Sequence, residues 1–193
     1  MKTLLLLVPA LALVSLGCAT TCPPPSARAP DAAPPLCWFS PETGTAGWDI
    51  EDDVVMGGRS RGRLAVNEAG NALFTGEISL ANGGGFSSIQ RDFDPVDVSR
   101  CRALFLGLKG DGKRYQLRVE SEKNARHAYA FDFGTSGDWQ QIEVPFADMY
   151  PIRHGDRLDL PNYPGQALAR IQILIGTGRA ESFQLELDRI WVE

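Results

Sequence analysis

Arg114-Tyr115-Gln116-Leu117-Arg118-Val119-Glu120 alternates without a break. Tyr115, Leu117 and Val119 fall on one face, and Gln116, Arg118 and Glu120 on the other. Successive side chains of an extended chain point to opposite faces, so a period of two describes a strand with one buried and one polar face. Similar runs occupy 63–67, 72–79, 86–91, 103–109, 127–133, 140–145, 170–175 and 183–192, and turn clusters at 67–71, 92–99, 134–138 and 176–180 separate many of them. Only 146–150 has a helical look, and Pro151 stops it after one turn. Parallel strands need crossover segments, usually helices, and nothing here has sustained 3.6-residue periodicity. About nine antiparallel strands therefore predict an all-β chain, an antiparallel β-sandwich of the jelly-roll kind. In the last strand the apolar positions shift from Phe183, Leu185 and Leu187 to Ile190 and Val192. One extra residue near Asp188-Arg189, a β-bulge, accounts for the slip.

The ends set the organisation. Residues 1–17 read as an export signal, with Lys2 as the positive end and an apolar run from Leu4 to Leu16 that is too short to span a bilayer. The run ends at Leu16-Gly17-Cys18, which resembles a bacterial lipoprotein signal with Cys18 as the lipidated residue. Ordinary cleavage near Ala19 or Ala27 is the alternative. Ala19 stands where an Asp would retain the protein in the inner membrane, so the expected location is the outer membrane, facing the periplasm. Residues 18–36 are rich in Pro and Ala and read as an extended tether, because Pro fixes φ and removes a donor. Residues 37–193 are one domain's worth of chain.

The formal net charge is −5, and no cluster of cations is dense enough to suggest nucleic acid. Of the 4 cysteines, Cys18 is assigned to lipid. An exported compartment permits a disulfide between two of the remaining three, with Cys37–Cys101 the expected pair and Cys22–Cys37 its rival. No spacing suggests zinc.

Glycine-rich blocks punctuate the domain: Asp52-Asp53-Val54-Val55-Met56-Gly57-Gly58-Arg59-Ser60 after Trp48, Phe74-Thr75-Gly76, Asn82-Gly83-Gly84-Gly85-Phe86-Ser87-Ser88, and Gly110-Asp111-Gly112-Lys113-Arg114-Tyr115. Trp139 with Val144-Pro145-Phe146, and the closing 183–190 segment, complete the series. In this order the blocks resemble the NADH:ubiquinone oxidoreductase complex I intermediate-associated protein 30 family, over about 39–192. The resemblance implies a galactose-binding-like jelly roll. It also implies a non-catalytic protein-binding or assembly-factor role, set here in the cell envelope rather than the mitochondrial matrix.

The residues themselves carry local expectations. Gly83–85 let the backbone pass closely, and Phe86 then anchors a strand in the core. Asp111-Gly112 reads as a hairpin turn between 103–109 and 114–120. Met56 reads as core filler, and Trp48, Trp139 and Trp191 as packing residues.

Polar groups on rigid loops form the candidate binding surface: Asp52, Asp53, Arg59, Ser60 and Ser88, joined by Tyr150 and Tyr163 of the long 150–166 segment. Local turn capping by Asp52 or Asp53 is the plainer reading. No cofactor is expected. A resident metal is not expected either, although Asp188 with Asp53, or with its neighbours Glu51 and Asp52, offers oxygen ligands for Ca²⁺. The two histidines, His127 and His154, sit in no catalytic spacing, so no enzyme is expected. The expected partners are a protein or a glycan of the envelope, with the membrane reached through the lipid alone. The carbohydrate-binding alternative requires exposed rings, for which Tyr150, Tyr163 and Trp139 are the candidates.

Overall fold

The computed structural model describes residues 36–193, so the signal segment, Cys18, Cys22 and nearly all of the tether lie outside the described residues. Thirteen strands follow in order: β1 (Cys37–Trp38), β2 (Trp48–Asp52), β3 (Arg61–Val66), β4 (Ala72–Ile78), β5 (Ser87–Asp97), β6 (Ala103–Lys109), β7 (Arg114–Glu120), β8 (Ala128–Gly134), β9 (Trp139–Pro145), β10 (Tyr150–Arg153), β11 (Asp156–Arg157), β12 (Ala167–Ile175) and β13 (Glu181–Val192). The only helical elements among the described residues are short 3-10 turns, one of them at Phe146–Asp148 where the sequence suggests a helical turn. One sheet runs β3-β4-β13-β6-β9, with β1 added alongside β13, and the other runs β11-β10-β8-β7-β12-β5-β2. The chain is an all-β antiparallel jelly roll of two facing sheets.

Alternation builds the core. Tyr115, Leu117 and Val119 of β7 are buried with Ile171 and Ile173 of β12, in one cluster with Leu106 of β6 and Leu185 and Leu187 of β13. Each such side chain contributes about 1.5–3 kcal/mol by leaving water. The expected bulge in β13 is present: Leu187 pairs Leu108 and Arg189 pairs Gly107, which leaves Asp188 as the extra residue. The extra residue keeps Ile190 facing the core after Leu187, and it turns Trp191 outward to stack on Phe105 at 5.4 Å. A second register shift, between Leu168 and Arg170 of β12, aims Ile171, Ile173 and Ile175 inward and leaves Arg170 and Gln172 on the outer face.

Several sequence expectations give way. β6 and β7 lie in different sheets, so Asp111-Gly112 is not a hairpin turn but a crossing between layers. Its carboxylate ties the crossing to both sides. Asp111 accepts from the Tyr115 hydroxyl at 3.1 Å on β7, from the Gln184 N–H at 2.9 Å on β13, and from Lys113 Nζ at 2.7 Å. An Asp111→Ala chain is expected to lose about 2 kcal/mol, because the Gln184 and Tyr115 donors lose their acceptor. A lower urea midpoint with unchanged slope checks it.

Met56 is not core filler; it is 66% exposed. Phe86 is half-buried rather than a core anchor. The 150–166 segment is not all loop, since it contains β10 and β11.

Among the described residues, Cys37 and Cys101 are both free thiols. Cys37 pairs Ile190 from the side of β13 opposite β6, where Ile190 pairs Leu106. Two strand spacings, about 10 Å, already exceed disulfide reach before the further run from Leu106 back to Cys101 is counted. Burial pushes the Cys37 thiol up to about 11, which keeps it protonated.

Candidate functional site

The Asp52–Ser60 signature turns inward. A 3-10 turn over Asp53–Met56 ends at Gly57, whose φ of 90° suits glycine. Asp53 is fully buried. Its Oδ1 accepts from the Ser60 N–H at 2.9 Å, and its Oδ2 accepts from the Ser60 hydroxyl at 2.5 Å and the N–H groups of Gly85 at 2.6 Å and Phe86 at 3.3 Å. Burial alone would raise this carboxyl, but the four donors outweigh it and hold it below the usual range. A Cβ on Gly58 would stand 2.2 Å from Asp53 Oδ1, and one on Gly84 would stand 2.5 Å from Oδ2, so both glycines make room for the carboxylate. Asp52 accepts from the Ser87 hydroxyl at 2.6 Å on β5 and from the Gly62 N–H at 3.0 Å on β3. The acidic pair thus stitches the edge of one sheet to the edge of the other.

A cleft of about 930 Å³ lies on the outer face of the seven-stranded sheet. Its floor is the polar half of the strand alternation. On one side, the Gln172 amide donates to the Ser88 hydroxyl at 3.0 Å and to Glu51 Oε2 at 3.4 Å. On the other, the Gln116 amide donates to Asp132 at 2.9 Å and to the Tyr150 hydroxyl at 3.0 Å, and that hydroxyl donates to Asp132 Oδ2 at 2.5 Å. Arg118 lies between, its Nε donating to Gln116 Oε1 at 2.6 Å. Arg170 is held by Asp92 and, at 3.2 Å, by Glu120.

Electrostatics follow from this half-burial. Desolvation lowers the Arg118 guanidinium, opposed by Tyr150, Asp132 and Glu51. Desolvation, then the bond to Asp132, pushes the Tyr150 hydroxyl up to about 12, so it stays a donor. Desolvation also raises Glu120 against the pull of Arg170.

The cleft meets the signature at one end, where Met56, Gly85 and Phe86 line it. Asp53 binds the N–H groups of Gly85 and Phe86, so the buried carboxylate fixes the cleft wall without touching its contents. At the other end the rim includes His127 and the β10–β11 turn with Arg153 and His154.

The sequence candidates therefore separate. Asp53 and Ser60 are sealed inside, Asp52 is half-buried at the sheet edges, and Arg59 is exposed. Ser88 is buried beneath the cleft floor, under Gln172, and Tyr150 stands beside it, bonded to Gln116 and Asp132. Tyr163 is buried in the core with its hydroxyl on the Ala167 carbonyl at 2.6 Å. Trp139 is on β9, in the other sheet. Trp48 and Trp191 are buried as packing residues.

Asp53 and Asp188 share no cation site. Ser60 links Asp53 to Ser79, beside the Ile78–Glu181 pair at the start of β13. Asp188 is seven residues further along, about 23 Å at strand rise. No cluster of three or more His, Cys, Asp or Glu side chains suited to a metal occurs among the described residues.

Gln116, Arg118, Asp132 and Gln172 are floor residues that motif reading passes over. The signal for Gln116 and Arg118 was the outward half of 114–120, amide, guanidinium and carboxylate groups at successive outward positions, whereas Asp132 and Gln172 had none.

A two-sheet jelly roll with a polar cleft across one outer sheet face defines the class of protein. Residues 37–187 match the family described as Complex I intermediate-associated protein 30, and the chain belongs to that family. No curated protein matches the sequence well enough to serve as a relative. Among solved structures, the chain is similar to a family 11 carbohydrate-binding module of the cellulosomal cellulase Lic26A-Cel5E of Clostridium thermocellum. The TM-score is 0.55 at 13% identity, over 81% of this chain and 94% of that one. It is also similar to a Clostridium thermocellum family 11 module in complex with a β-1,3-1,4-mixed-linked tetrasaccharide, with TM-score 0.53 at 13% identity, over 76% of this chain and 88% of that one. The agarase AgWH50C matches with TM-score 0.52 at 12% identity, over 82% of this chain but 24% of the agarase. At these identities the likeness is one of fold.

Proposed function

We propose that this chain is a non-catalytic glycan-binding module of the cell envelope, anchored by lipid on Cys18 and lifted from the membrane by the 18–36 tether. The observation that carries the reading is the polar cleft floor and not ring stacking, since Tyr163 is buried and Trp139 lies on the other sheet. Amide, hydroxyl, carboxylate and guanidinium groups cross several strands and are held in place by their neighbours. A hydroxyl-rich ligand needs donors and acceptors fixed in advance, so that little ordering remains to oppose binding. Three carboxylates line the cleft, and each already accepts a hydrogen bond: Glu51 from Gln172, Glu120 from Arg170 and Asp132 from Gln116 and Tyr150. That engagement supports the non-catalytic part of the reading. The Clostridium thermocellum module with a bound tetrasaccharide supports the ligand class by fold alone.

The test is retention of the full chain, purified in detergent, on a panel of polysaccharides in affinity gels. At least one glycan is expected to retard it, and Gln172→Ala and Gln116→Ala are each expected to weaken that retention about tenfold, the loss of one or two hydrogen bonds to the ligand. A chain retarded by no glycan would defeat the reading.

A second reading, an assembly module for other proteins, is favoured by the family's description and by the exposed apolar side chains of Val54 and Met56 beside the cleft. A stoichiometric protein partner in the same purification, with no glycan retention, would select it.

A further inference from the structure

The cleft carries a charge that the chain does not. The protein is acidic overall, with a net charge of −5. Yet Arg114, Arg118, Arg126, Arg153 and Arg170 line the cleft, against Glu51, Glu120 and Asp132. Among the described residues, Arg170 alone of these arginines is in an ion pair, and it takes up Glu120. Asp132 keeps its charge while accepting from Gln116 and Tyr150, so five arginines face Glu51, Glu120 and Asp132, with Asp92 a fourth carboxylate on Arg170. The cations are thus in excess on this face.

Arg118 is the central one. On β7 it stands between Gln172 of β12 and Ala130 of β8. Its Nε is spent on Gln116, while its two terminal nitrogens have no hydrogen-bond partner among the described residues. Beside it, the outward positions of β8 carry the small residues Ala128, which lines the cleft, and Ala130, which is fully buried. A guanidinium that lines a cleft with its terminal nitrogens unpartnered fits a planar oxyanion, which it can hold with two parallel bonds. His127, at the end of the same trough, lines it with its ring packed edge-on against Tyr129.

We propose that the cleft takes an acidic polysaccharide, with a carboxylate or sulfate of one sugar held by the terminal nitrogens of Arg118. Arg114, Arg126 and Arg153, exposed at the margins, raise the local concentration of the polyanion. The proposal rests on the reading of the cleft as a glycan site and narrows it to a charge class.

The experiment uses the full chain in detergent, titrated with polygalacturonate for carboxylates, carrageenan for sulfates, neutral mixed-linked β-glucan, and duplex DNA as an unrelated polyanion. One or both acidic glycans are expected to bind at least about tenfold more tightly than the neutral glucan, and to weaken as salt rises from about 50 to about 200 mM. Which of the two binds identifies the oxyanion. Arg118→Gln is expected to lose about tenfold or more for the acidic glycan. Arg118→Lys should recover only part, since an ammonium keeps charge without the fork. Thermal melting shows whether Arg118→Gln still folds. If it does not, Arg153→Gln at the exposed rim is expected to weaken acidic-glycan binding about twofold to threefold and to flatten the salt dependence. Binding of the neutral glucan alone would overturn the acidic assignment and leave the glycan reading standing. Binding of none would overturn both. DNA binding equal to that of the acidic glycans would reduce the cleft to a non-specific field and overturn the proposal.

Discussion

An Asp53→Asn chain is expected to be about 3 kcal/mol less stable than the wild type, a drop of roughly 10 °C in midpoint for a domain of this size. The substitution keeps shape and removes charge. All four groups around the carboxylate are donors: the N–H groups of Ser60, Gly85 and Phe86 and the Ser60 hydroxyl. An asparagine must aim its own NH₂ at some of them, leaving buried donors face to face with no water to take up the loss. The sign with pH follows from the carboxyl being held below its ordinary value. The group's stabilisation is complete above the unfolded-state value of about 4, and is lost as pH falls through the lower folded value. The gap between wild type and Asp53→Asn in urea unfolding should therefore narrow as the pH is taken from 7 toward 2. A gap that stays constant over that range would refute the account of Asp53 as a charged hub. Binding should suffer with stability, because the same carboxylate fixes Gly85 and Phe86 at the cleft wall.

The fold was legible because its physics is local. The 114–120 and 103–109 runs match β7 and β6 residue for residue, and the slip in the last strand located the bulge at Asp188. What sequence could not supply was which strands are neighbours. Asp111-Gly112 has the chemistry of a hairpin turn, yet its side chain bonds to β13 as well as to β7 and turns the chain between sheets. The glycine blocks were visible as rigid turns, but whether an acid beside them faces solvent or interior depends on contacts from residues far along the chain, such as Gly85 on Asp53. Met56 and Phe86 were misplaced for the same reason, since hydrophobicity predicts burial only on average. The cleft was half legible. The outward row Gln116, Arg118 and Glu120 was plain in the alternation, while Gln172, Asp132 and Glu51 join it only through sheet order.

The Phe74-Thr75-Gly76 block carries the second large effect. Gly76→Ala is expected to cost about 3 kcal/mol. In a strand, alanine for glycine ordinarily gains about 0.5–1 kcal/mol from the lost freedom of the unfolded chain. Here sterics reverse the sign. The new Cβ would stand 2.2 Å from the Arg61 carbonyl oxygen and 2.7 Å from the Phe183 ring. The ring is buried and held edge-on by Phe74 at 4.7 Å, and the carbonyl is backbone, so neither gives way cheaply. Relief requires β3 to move off β4, and β3 lies beside Ser60 and carries Gly62, the donors on Asp53 and Asp52. Packing strain and the weakened carboxylate contacts therefore arrive together. The double variant Gly76→Ala/Asp53→Asn should then lose less than the sum of the two single losses, since a strand already released from Asp53 shifts more easily. Urea unfolding of the four chains measures this coupling. Strict additivity would mean that the glycine and the acid act on separate parts of the fold, and a Gly76→Ala chain as stable as the wild type would remove the steric argument altogether.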